Sequence, residues 1–234
     1  MKKIVIASML ACAFSAASAV DLYSQAPHTP GASGGNGMSA VFDGGFSGDR
    51  QVADDFTVTG AGWAVNELVS SWVQFTDGNS SPINSVNVAF FNKTGGTVGS
   101  MVGSASASVS VATGPGTYFS RTERIVTATF ADINLAPGDY FVMIQPNVAH
   151  NWFWLTATPT TAVQGASAHF RTGNGESGWP STWTPTGTGD IFNSPAGGHD
   201  ANFIVRGSAV PEPATMAVLG LGAAALLRRR RKNA

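Results

Sequence analysis

Short runs in which apolar and polar residues alternate fill most of the chain between residues 51 and 207. In the first clear run the apolar residues Val52, Phe56 and Val58 all have even numbers, and so does Asp54. Alternation with a period of two puts successive side chains on opposite faces of a β-strand. The region has almost no run of Leu, Glu, Lys and Ala at helical spacing. The pattern therefore predicts strands that are joined by turns.

Turn signals divide this region into roughly nine or ten strands. Ala136-Pro137-Gly138-Asp139 predicts a type II turn, because Pro presets φ at the second position and Gly accepts a positive φ at the third. Gly114-Pro115-Gly116 is predicted to break a strand, and residues 21–49 are predicted to be a loop. The predicted strands are 51–59, 63–75, 83–91, 98–113, 117–130, 140–145, 151–157, 166–172 and 201–207.

The region between the two ends of the chain is long enough for one domain with a full core. It spans residues 20–209, is poor in charge and is rich in Gly, Thr, Ser and Val, a composition that favours strands. We predict an all-β fold, a single β-sandwich of jelly-roll type whose long loops lie at one end. A signal helix before the domain and a short transmembrane helix after it complete the predicted architecture.

Residues 1–19 have the three parts of a secretory leader. Met1-Lys2-Lys3 is positively charged, Ile4–Phe14 is apolar, and Ala17-Ser18-Ala19 fits the small-residue cleavage pattern. We predict a signal peptide that signal peptidase removes after Ala19. Cys12 is the only cysteine and lies within this leader, so the exported domain is predicted to have neither a disulfide nor a cysteine nucleophile.

Residues 210–234 consist of three physically different pieces. Val210-Pro211-Glu212-Pro213 resists helix formation, because both prolines lack an N–H donor. Ala214–Leu227 carries no charge, but it is shorter than the roughly twenty residues that span a bilayer comfortably. Positive charges tend to stay on the cytoplasmic side of a bilayer. The charges that follow therefore predict a membrane stop, formed by Arg228, Arg229, Arg230, Arg231 and Lys232.

The order of VPEP, apolar run and arginine cluster resembles the PEP-CTERM sorting signal of Gram-negative bacteria. The same tail is also known as the ice-binding protein C-terminal domain. The resemblance implies transient membrane insertion, processing by an exosortase near Val210-Pro211-Glu212-Pro213, and export through the inner membrane to the cell surface or the extracellular matrix. The body is similar to secreted β-sandwich modules upstream of such tails, at ADDF, APGDYFVMIQP, WFW and DANFIVRG.

Without its two ends the chain is acidic. Residues 20–209 contain six basic and thirteen acidic residues, which gives a net charge of about −7. A surface of this sign repels nucleic acids and anionic lipids, and the domain has no cluster of Lys or Arg that would overcome the repulsion. The composition therefore excludes nucleic-acid recognition.

Four aspartates early in the domain are candidate ligands for a structural Ca²⁺ ion, which takes about six to eight oxygen ligands. Adjacent aspartates in a strand point to opposite faces, so only one of Asp54 and Asp55 joins a given site unless a bulge intervenes. The alternative is that these carboxylates cap a turn or pair with an arginine such as Arg50 or Arg206. No other cofactor is predicted. The four candidates are Asp43, Asp49, Asp54 and Asp55.

Four tryptophans in the C-terminal third are candidates for binding a glycan. Indole faces stack on the C–H surfaces of sugars, while neighbouring Asn, Asp and His side chains bind hydroxyl groups. Trp152 and Trp154 share one face of a predicted strand, and Trp179 and Trp183 lie in a Pro- and Gly-rich loop. The alternative is that the strand pair belongs to the core and the loop pair folds back over the edge of the sandwich.

The sequence predicts no catalytic site. The histidines have no metal-ligand spacing, the stretch GFSGD lacks the final glycine of a nucleophile elbow, and the glutamates form no recognisable acid–base pair. The threonines are too irregular for the flat array that ice binding would need. We predict a non-enzymatic structural or adhesive protein of the extracellular polysaccharide matrix. The alternative is a carbohydrate-binding module that uses the four tryptophans, with or without calcium.

Overall fold

A computed structural model shows the architecture of the chain. It describes residues 19–25, 37–39, 41–42, 49–74, 82–118, 120–148, 152–155, 165–173, 179–187, 198–212, 220–222 and 228. These parts contain thirteen β-strands. The strands are β1 (Val20–Ser24), β2 (Gly37–Ser39), β3 (Val41–Phe42), β4 (Asp49–Val58), β5 (Trp63–Gln74), β6 (Ser85–Thr94), β7 (Thr97–Tyr118), β8 (Arg121–Leu135), β9 (Gly138–Asn147), β10 (Trp152–Leu155), β11 (His169–Thr172), β12 (Thr184–Pro185) and β13 (Phe203–Ala209).

The strands form two sheets that share β7. Sheet I has the order β1-β13-β5-β8-β7, and β10 and β2 continue it beside the C-terminal end of β5. Sheet II has the order β7-β6-β9-β4-β11-β12, and β3 pairs with both β4 and β9. β7 pairs with β6 as far as Ala107 and with β8 from Ser108 onward, so it passes from one sheet into the other. Among the described pairings, only β3–β9 is parallel.

One apolar core lies between the two sheets. Phe56 of β4 is 2% exposed and sits among aromatic rings from both sheets. Such ring pairs stabilise a core beyond the area they bury, and side chains of both sheets therefore hold the sandwich closed. The rings within 5.9–6.3 Å of Phe56, centroid to centroid, are those of Tyr23, Trp63, Phe90, Tyr140 and Phe203.

Two stacked tryptophans extend the core at the far end of sheet I. The rings of Trp72 and Trp154 lie 5.6 Å apart at an angle of 13°, and both side chains are fully buried. Their polar atoms are satisfied: Trp72 Nε1 donates to Ser70 Oγ at 2.7 Å, and Trp154 Nε1 donates to the Asn202 carbonyl at 2.7 Å. β10 is short, but it is fixed in place by this burial.

The all-β prediction is confirmed, and most predicted strands overlap an observed one. The jelly-roll type is not established by this strand order and stays a prediction. The prediction of a loop over residues 21–49 is wrong in part, because β1, β2 and β3 lie there. Each of these short strands pairs with a strand distant in sequence, β13, β10 or β9, which local pattern does not reveal.

Two predicted turns differ from the structure. Gly114-Pro115-Gly116 does not end β7; the pairing with β8 shifts register between Thr113 and Thr117, as at a bulge. A Cβ atom at Gly114 would lie 2.5 Å from Glu123 Oε2, which explains the glycine. Gly138 has a φ of 153°, far from the roughly +80° of a type II turn, and it already pairs with Val58 as the start of β9.

The predicted signal helix and membrane segment fall mainly outside the described residues. Of the leader only Ala19 is described, and Ala17 is not; of Ala214–Leu227 only residues 220–222 are. Within the described parts of the chain, no helix has the length and apolar character needed to cross a membrane. Arg228 is described and exposed, whereas 229–232 lie outside the described residues.

The Trp154→Ala variant tests the contribution of the tryptophan stack. We expect the free energy of unfolding to fall by about 3–5 kcal/mol, because truncation of a buried Trp leaves a large cavity. Val111→Ala is the control, since Val111 is 42% exposed and its truncation should cost no more than about 0.5 kcal/mol. Chemical denaturation measures both values, and a loss below about 1 kcal/mol for Trp154→Ala would contradict the packing described here.

Candidate functional site

The outer face of sheet II, which points away from the shared core, carries the candidate site. Even-numbered residues of its central strands, such as Val52, Val88 and Val142, fill the core. The odd-numbered residues of β4, β6 and β9 therefore point outward. A second apolar cluster covers the middle of this outer face and consists of Ala53, Ala89, Phe91, Phe141 and Met143.

An open groove of about 490 Å³ lies beside this second cluster. It crosses β4, β9, β6 and β7, and Met101, 59% exposed, offers an apolar contact along it. Five of its other ten lining residues have uncharged hydrogen-bonding side chains. The polar lining consists of Asp49, Gln51, Asn87, Ser104, Ser106 and Gln145.

A hydrogen-bond network fixes one end of the groove. Gln145 Nε2 donates to Asp49 Oδ1 at 2.6 Å and to the Arg50 carbonyl at 2.9 Å. Gln51 Nε2 donates to the two oxygens of Asp49 at 3.1 and 3.2 Å, and Gln51 Oε1 accepts from Arg171 Nε at 2.7 Å. The side-chain amides are thus held in defined orientations, which lowers the entropy that a ligand would lose in ordering them.

An arginine and a tryptophan lie next to this network. The Arg171 guanidinium stacks 4.5 Å from the centre of the Trp183 ring, and the edge of Phe91 meets the same indole at 5.7 Å. Burial lowers the pKa of Arg171, and the Asp49 carboxylate opposes that shift. The strand carrying Arg171 pairs with β4, opposite Gln51. Sheet pairing therefore places the stacked side chains of Arg171 and Trp183 beside the groove.

Asp55 attaches the segment that leads to Arg171 onto the sheet. Its carboxylate pairs with Lys93 and accepts from the Ala166 backbone N–H at 3.1 and 3.2 Å. His169 follows in the same segment; its ring meets Phe141 edge to face at 4.9 Å, and its Nδ1 lies 2.8 Å from the Ser167 carbonyl. Burial lowers the pKa of His169, which favours the neutral ring as part of this packing.

The structure separates the candidate tryptophans. Trp154 is removed from the glycan-binding candidates, because it is fully buried and presents no face to a sugar. The Trp152 backbone is in β10, opposite Gln74, while its side chain lies outside the described residues. Trp179 packs against Phe170 on the core side and under Arg50, and Trp183 packs on the outer cluster. Among the candidate tryptophans whose side chains are described, Trp183 alone packs on the cluster beside the groove.

Asp54 points into the core and joins the two ends of the domain. Its carboxylate accepts from Gln25 Nε2 at 3.1 Å and from the backbone N–H groups of Ala201 and Asp55, at 2.5 and 2.8 Å. Burial, with the nearby Asp200 carboxylate, raises the pKa of Asp54 well above its ordinary value of 3.8. The Gln25 Oε1 atom accepts in turn from Tyr23 at 3.0 Å.

The predicted calcium ligands do not come together. Asp49 faces the groove, Asp54 the core, and Asp55 the outer segment with Lys93, while Asp43 lies outside the described residues. The described part of the chain contains no group of three or more His, Cys, Asp or Glu side chains that could hold a metal ion. The alternative of an arginine partner does not describe the contacts of Asp54 and Asp55: Asp54 accepts from Gln25 and from backbone N–H groups, and Asp55 pairs with Lys93.

The C-terminal segment leaves sheet I directly after β13. Ala209 still pairs with Trp63, and Val210 N–H donates to the Gly62 carbonyl at 2.8 Å. Pro211 and Glu212 are exposed, and Pro213 lies outside the described residues. A family model for the PEP-CTERM protein-sorting motif matches residues 209–232. The chain carries a PEP-CTERM sorting motif.

The PEP-CTERM motif implies export across the inner membrane to the cell surface and processing by an exosortase. The prediction from the order of VPEP, apolar run and arginine cluster is thereby confirmed. Comparison with curated proteins finds none that matches the chain. The match covers only the tail, residues 209–232.

Sequence reasoning identified part of the groove and missed the rest. Asp49 and Trp183 were candidates, but for different sites. Gln51, Asn87 and Gln145 were not singled out, although each falls in the outward-facing file of its strand. The sequence does contain a signal for them: each of these polar residues lies two positions from an apolar residue of the outer cluster, and residues two apart in a strand lie on the same face.

The raised pKa of Asp54 predicts a pH-dependent stability. The folded state holds this proton more tightly than the unfolded state, so the stabilisation is complete below about pH 4 and is lost as the pH rises through the folded pKa. We expect the Asp54→Asn variant, which cannot ionise, to gain stability relative to the wild type as the pH increases from 4 to 8. Denaturant unfolding at several pH values measures this, and a constant difference would contradict the prediction.

Proposed function

We propose that this exported protein is a non-enzymatic adhesin of the extracellular polysaccharide matrix, and that it binds polysaccharide in the groove on the outer face of sheet II. The observation that carries the proposal is the fixed amide and carboxylate network beside the stacked pair of Arg171 and Trp183. Sites of this composition, with a few oriented polar groups next to an apolar surface, suit a ligand that has both hydroxyl groups and C–H faces.

The shape of the groove supports a chain-like ligand. It is open along its length and crosses four strands, so a polymer could enter from the side and continue beyond either end. Asn87, Ser104 and Ser106 line the groove and can both donate and accept hydrogen bonds, and sugar hydroxyls also act in both ways. Met101 supplies an exposed apolar contact on β7.

Charge favours a neutral polysaccharide over an acidic one. The domain carries a net charge of about −7, and Asp49 lines the groove itself. Arg171 is already engaged by Gln51 and by the Trp183 ring, so it offers little compensation for an added anion. A polyanion would meet repulsion both at long range and on contact.

The sorting tail fits this role. In the proposed pathway the segment Ala214–Leu227 of a Gram-negative precursor enters the inner membrane transiently, the five positive residues from Arg228 hold it there, and the exosortase then frees the domain for the matrix. Binding rather than turnover is the proposed activity: Asp49 is the one carboxylate among the described residues that line the groove, and glycoside hydrolysis ordinarily uses two.

Binding to neutral polysaccharides, measured by glycan array and by pull-down with residues 20–209, tests the proposal. We expect Trp183→Ala to weaken binding about tenfold, since loss of an aromatic contact costs on the order of 1.4 kcal/mol. Trp179→Ala is the matched control: this indole also stacks with an arginine but lies on the core side, so binding should be unchanged.

Melting curves of both variants separate lost binding from lost folding. Equal effects of Trp179→Ala and Trp183→Ala on binding would argue against the groove. Absence of binding to every neutral polysaccharide by the folded wild-type domain would leave a purely structural role, and turnover of a bound polysaccharide would point to a hydrolase.

A further inference from the structure

The domain has a single lysine, and that lysine is paired with a nearly buried carboxylate. Lys93 is the only lysine in residues 20–209, where the other five basic residues are arginines. Its Nζ contacts Asp55 Oδ2 directly, and the two side chains are 18% and 6% exposed. Arginine is the usual partner in a buried ion pair, because its planar guanidinium binds a carboxylate at two points. An amine offers a different property, since it becomes a nucleophile when it loses a proton.

The lysine and the aspartate come from two strands that lie on either side of β9. β4 and β6 both pair with β9: Asp55 lies opposite Phe141, and Phe141 lies opposite Phe91. Lys93 follows two residues after Phe91 in β6. Phe141 is fully buried and Phe91 is 7% exposed. The contact between Lys93 and Asp55 therefore forms beside an aromatic surface that excludes water.

The backbone of the segment before β11 holds the Asp55 carboxylate in a fixed orientation. The Ala166 N–H donates to both carboxylate oxygens, at 3.1 and 3.2 Å. Gly165 has a φ of 81°, and a Cβ atom at this position would collide with Asp55 Oδ2. The glycine thus lets the backbone lie directly against the carboxylate. An N–H donor in this place stabilises the negative charge that develops on oxygen when a nucleophile adds to the carboxyl carbon.

His169 supplies a buried base in the same region. Its Nδ1 lies 2.8 Å from the Ser167 carbonyl, so the neutral ring carries its proton there and leaves the lone pair on Nε2. Nε2 is buried and has no hydrogen-bond partner among the described residues. Burial lowers the pKa of His169, and the charges of Asp55 and Lys93 also act on it. The imidazole is therefore close enough to sense both members of the pair.

We propose that Lys93 and Asp55 form an intramolecular amide bond in the exported protein, and that His169 takes up a proton during the reaction. One proton first passes from Nζ to Asp55 Oδ2, which gives an amine and an acid. The Nζ lone pair then attacks Cγ, and His169 Nε2 removes a second proton from Nζ. The Cγ–Oδ2 bond breaks, and Oδ2 takes the second proton from His169 and leaves as water. The products are one amide and one water molecule, with no change in oxidation state.

The fold favours this condensation, which is unfavourable for a free amine and a free acid in water. Two well-oriented groups held in contact have an effective concentration on the order of 10⁵–10⁸ M, and burial keeps away the water that would reverse the reaction. The bond would join β4 to β6 in a domain without cysteine, since Cys12 lies in the leader. It would be a covalent tie other than a disulfide, and it is independent of polysaccharide binding.

Mass spectrometry of a tryptic digest of the folded, exported protein tests for the bond. Trypsin cuts after a lysine with a free Nζ but not after one whose Nζ is acylated. We expect one peptide, residues 51–121, with the mass of one water missing and with fragments that join Asp55 to Lys93. Unmodified peptides 51–93 and 94–121 would show an ion pair only and would overturn the proposal. A missing water together with a cut after Lys93 would place the dehydration elsewhere and would also overturn it.

Three variants test the roles of the individual side chains. Lys93→Arg keeps the positive charge opposite Asp55 but removes the nucleophilic amine, so its peptides should have unmodified masses. His169→Phe keeps an aromatic ring against Phe141 and removes Nε2. We expect the amide to form several-fold more slowly in this variant, as measured by the mass of newly synthesised protein over time. Asp54→Asn, on the opposite face of β4, is the matched control and should react at the wild-type rate.

The outcomes of the variants are distinct from those of the binding experiment, because they are read from peptide masses. A missing water in the Lys93→Arg peptides would overturn the assignment of the amide to Lys93. Equal rates for His169→Phe and the wild type would overturn the role of His169 in proton transfer. Equal slowing in His169→Phe and Asp54→Asn would show a general effect on folding and would overturn that role as well.

Discussion

The burial of aromatic and branched side chains between the two sheets is the constraint on which the other features depend. β7 passes from sheet II into sheet I within one continuous strand, so the two sheets cannot separate without breaking it. Phe56 then packs against rings of both sheets. Because this face of β4 is committed to the core, its alternate residues must point outward, and two of them, Asp49 and Gln51, line the groove.

The adjacent aspartates of β4 show how one short sequence serves both faces. Asp54, on the core side, holds Gln25 and Ala201, which come from opposite ends of the domain. Asp55, on the outer side, holds Lys93 and the backbone at Ala166. A buried carboxylate is costly unless N–H donors surround it, and both have such donors. The outer contact fixes the start of the segment that carries Arg171, so the core strand indirectly positions the aromatic side of the groove.

The predictable part of the fold is the part that local pattern determines. Strands β4, β6 and β8 alternate clearly, and the sequence predicts them to within a few residues. β1 and β2 have little pattern of their own and pair with β13 and β10, which are distant in sequence. The groove is harder to predict from the sequence for the same reason, because strands that are distant in sequence form it. Gln51, Asn87 and Gln145 are 36 and 58 residues apart in sequence, and only the order β4-β9-β6 brings them to one groove.

The placement of the two functional regions on different sheets has a physical consequence. The sorting motif leaves from sheet I, at the end of β13, whereas the groove lies on the outer face of sheet II. The shared core separates them, and the contacts that fix the groove, among Asp49, Gln51 and Arg171, include no residue of β13. Removal of the chain beyond Val210 would take away no described strand, so the described walls of the groove would be the same in a processed protein as in the precursor.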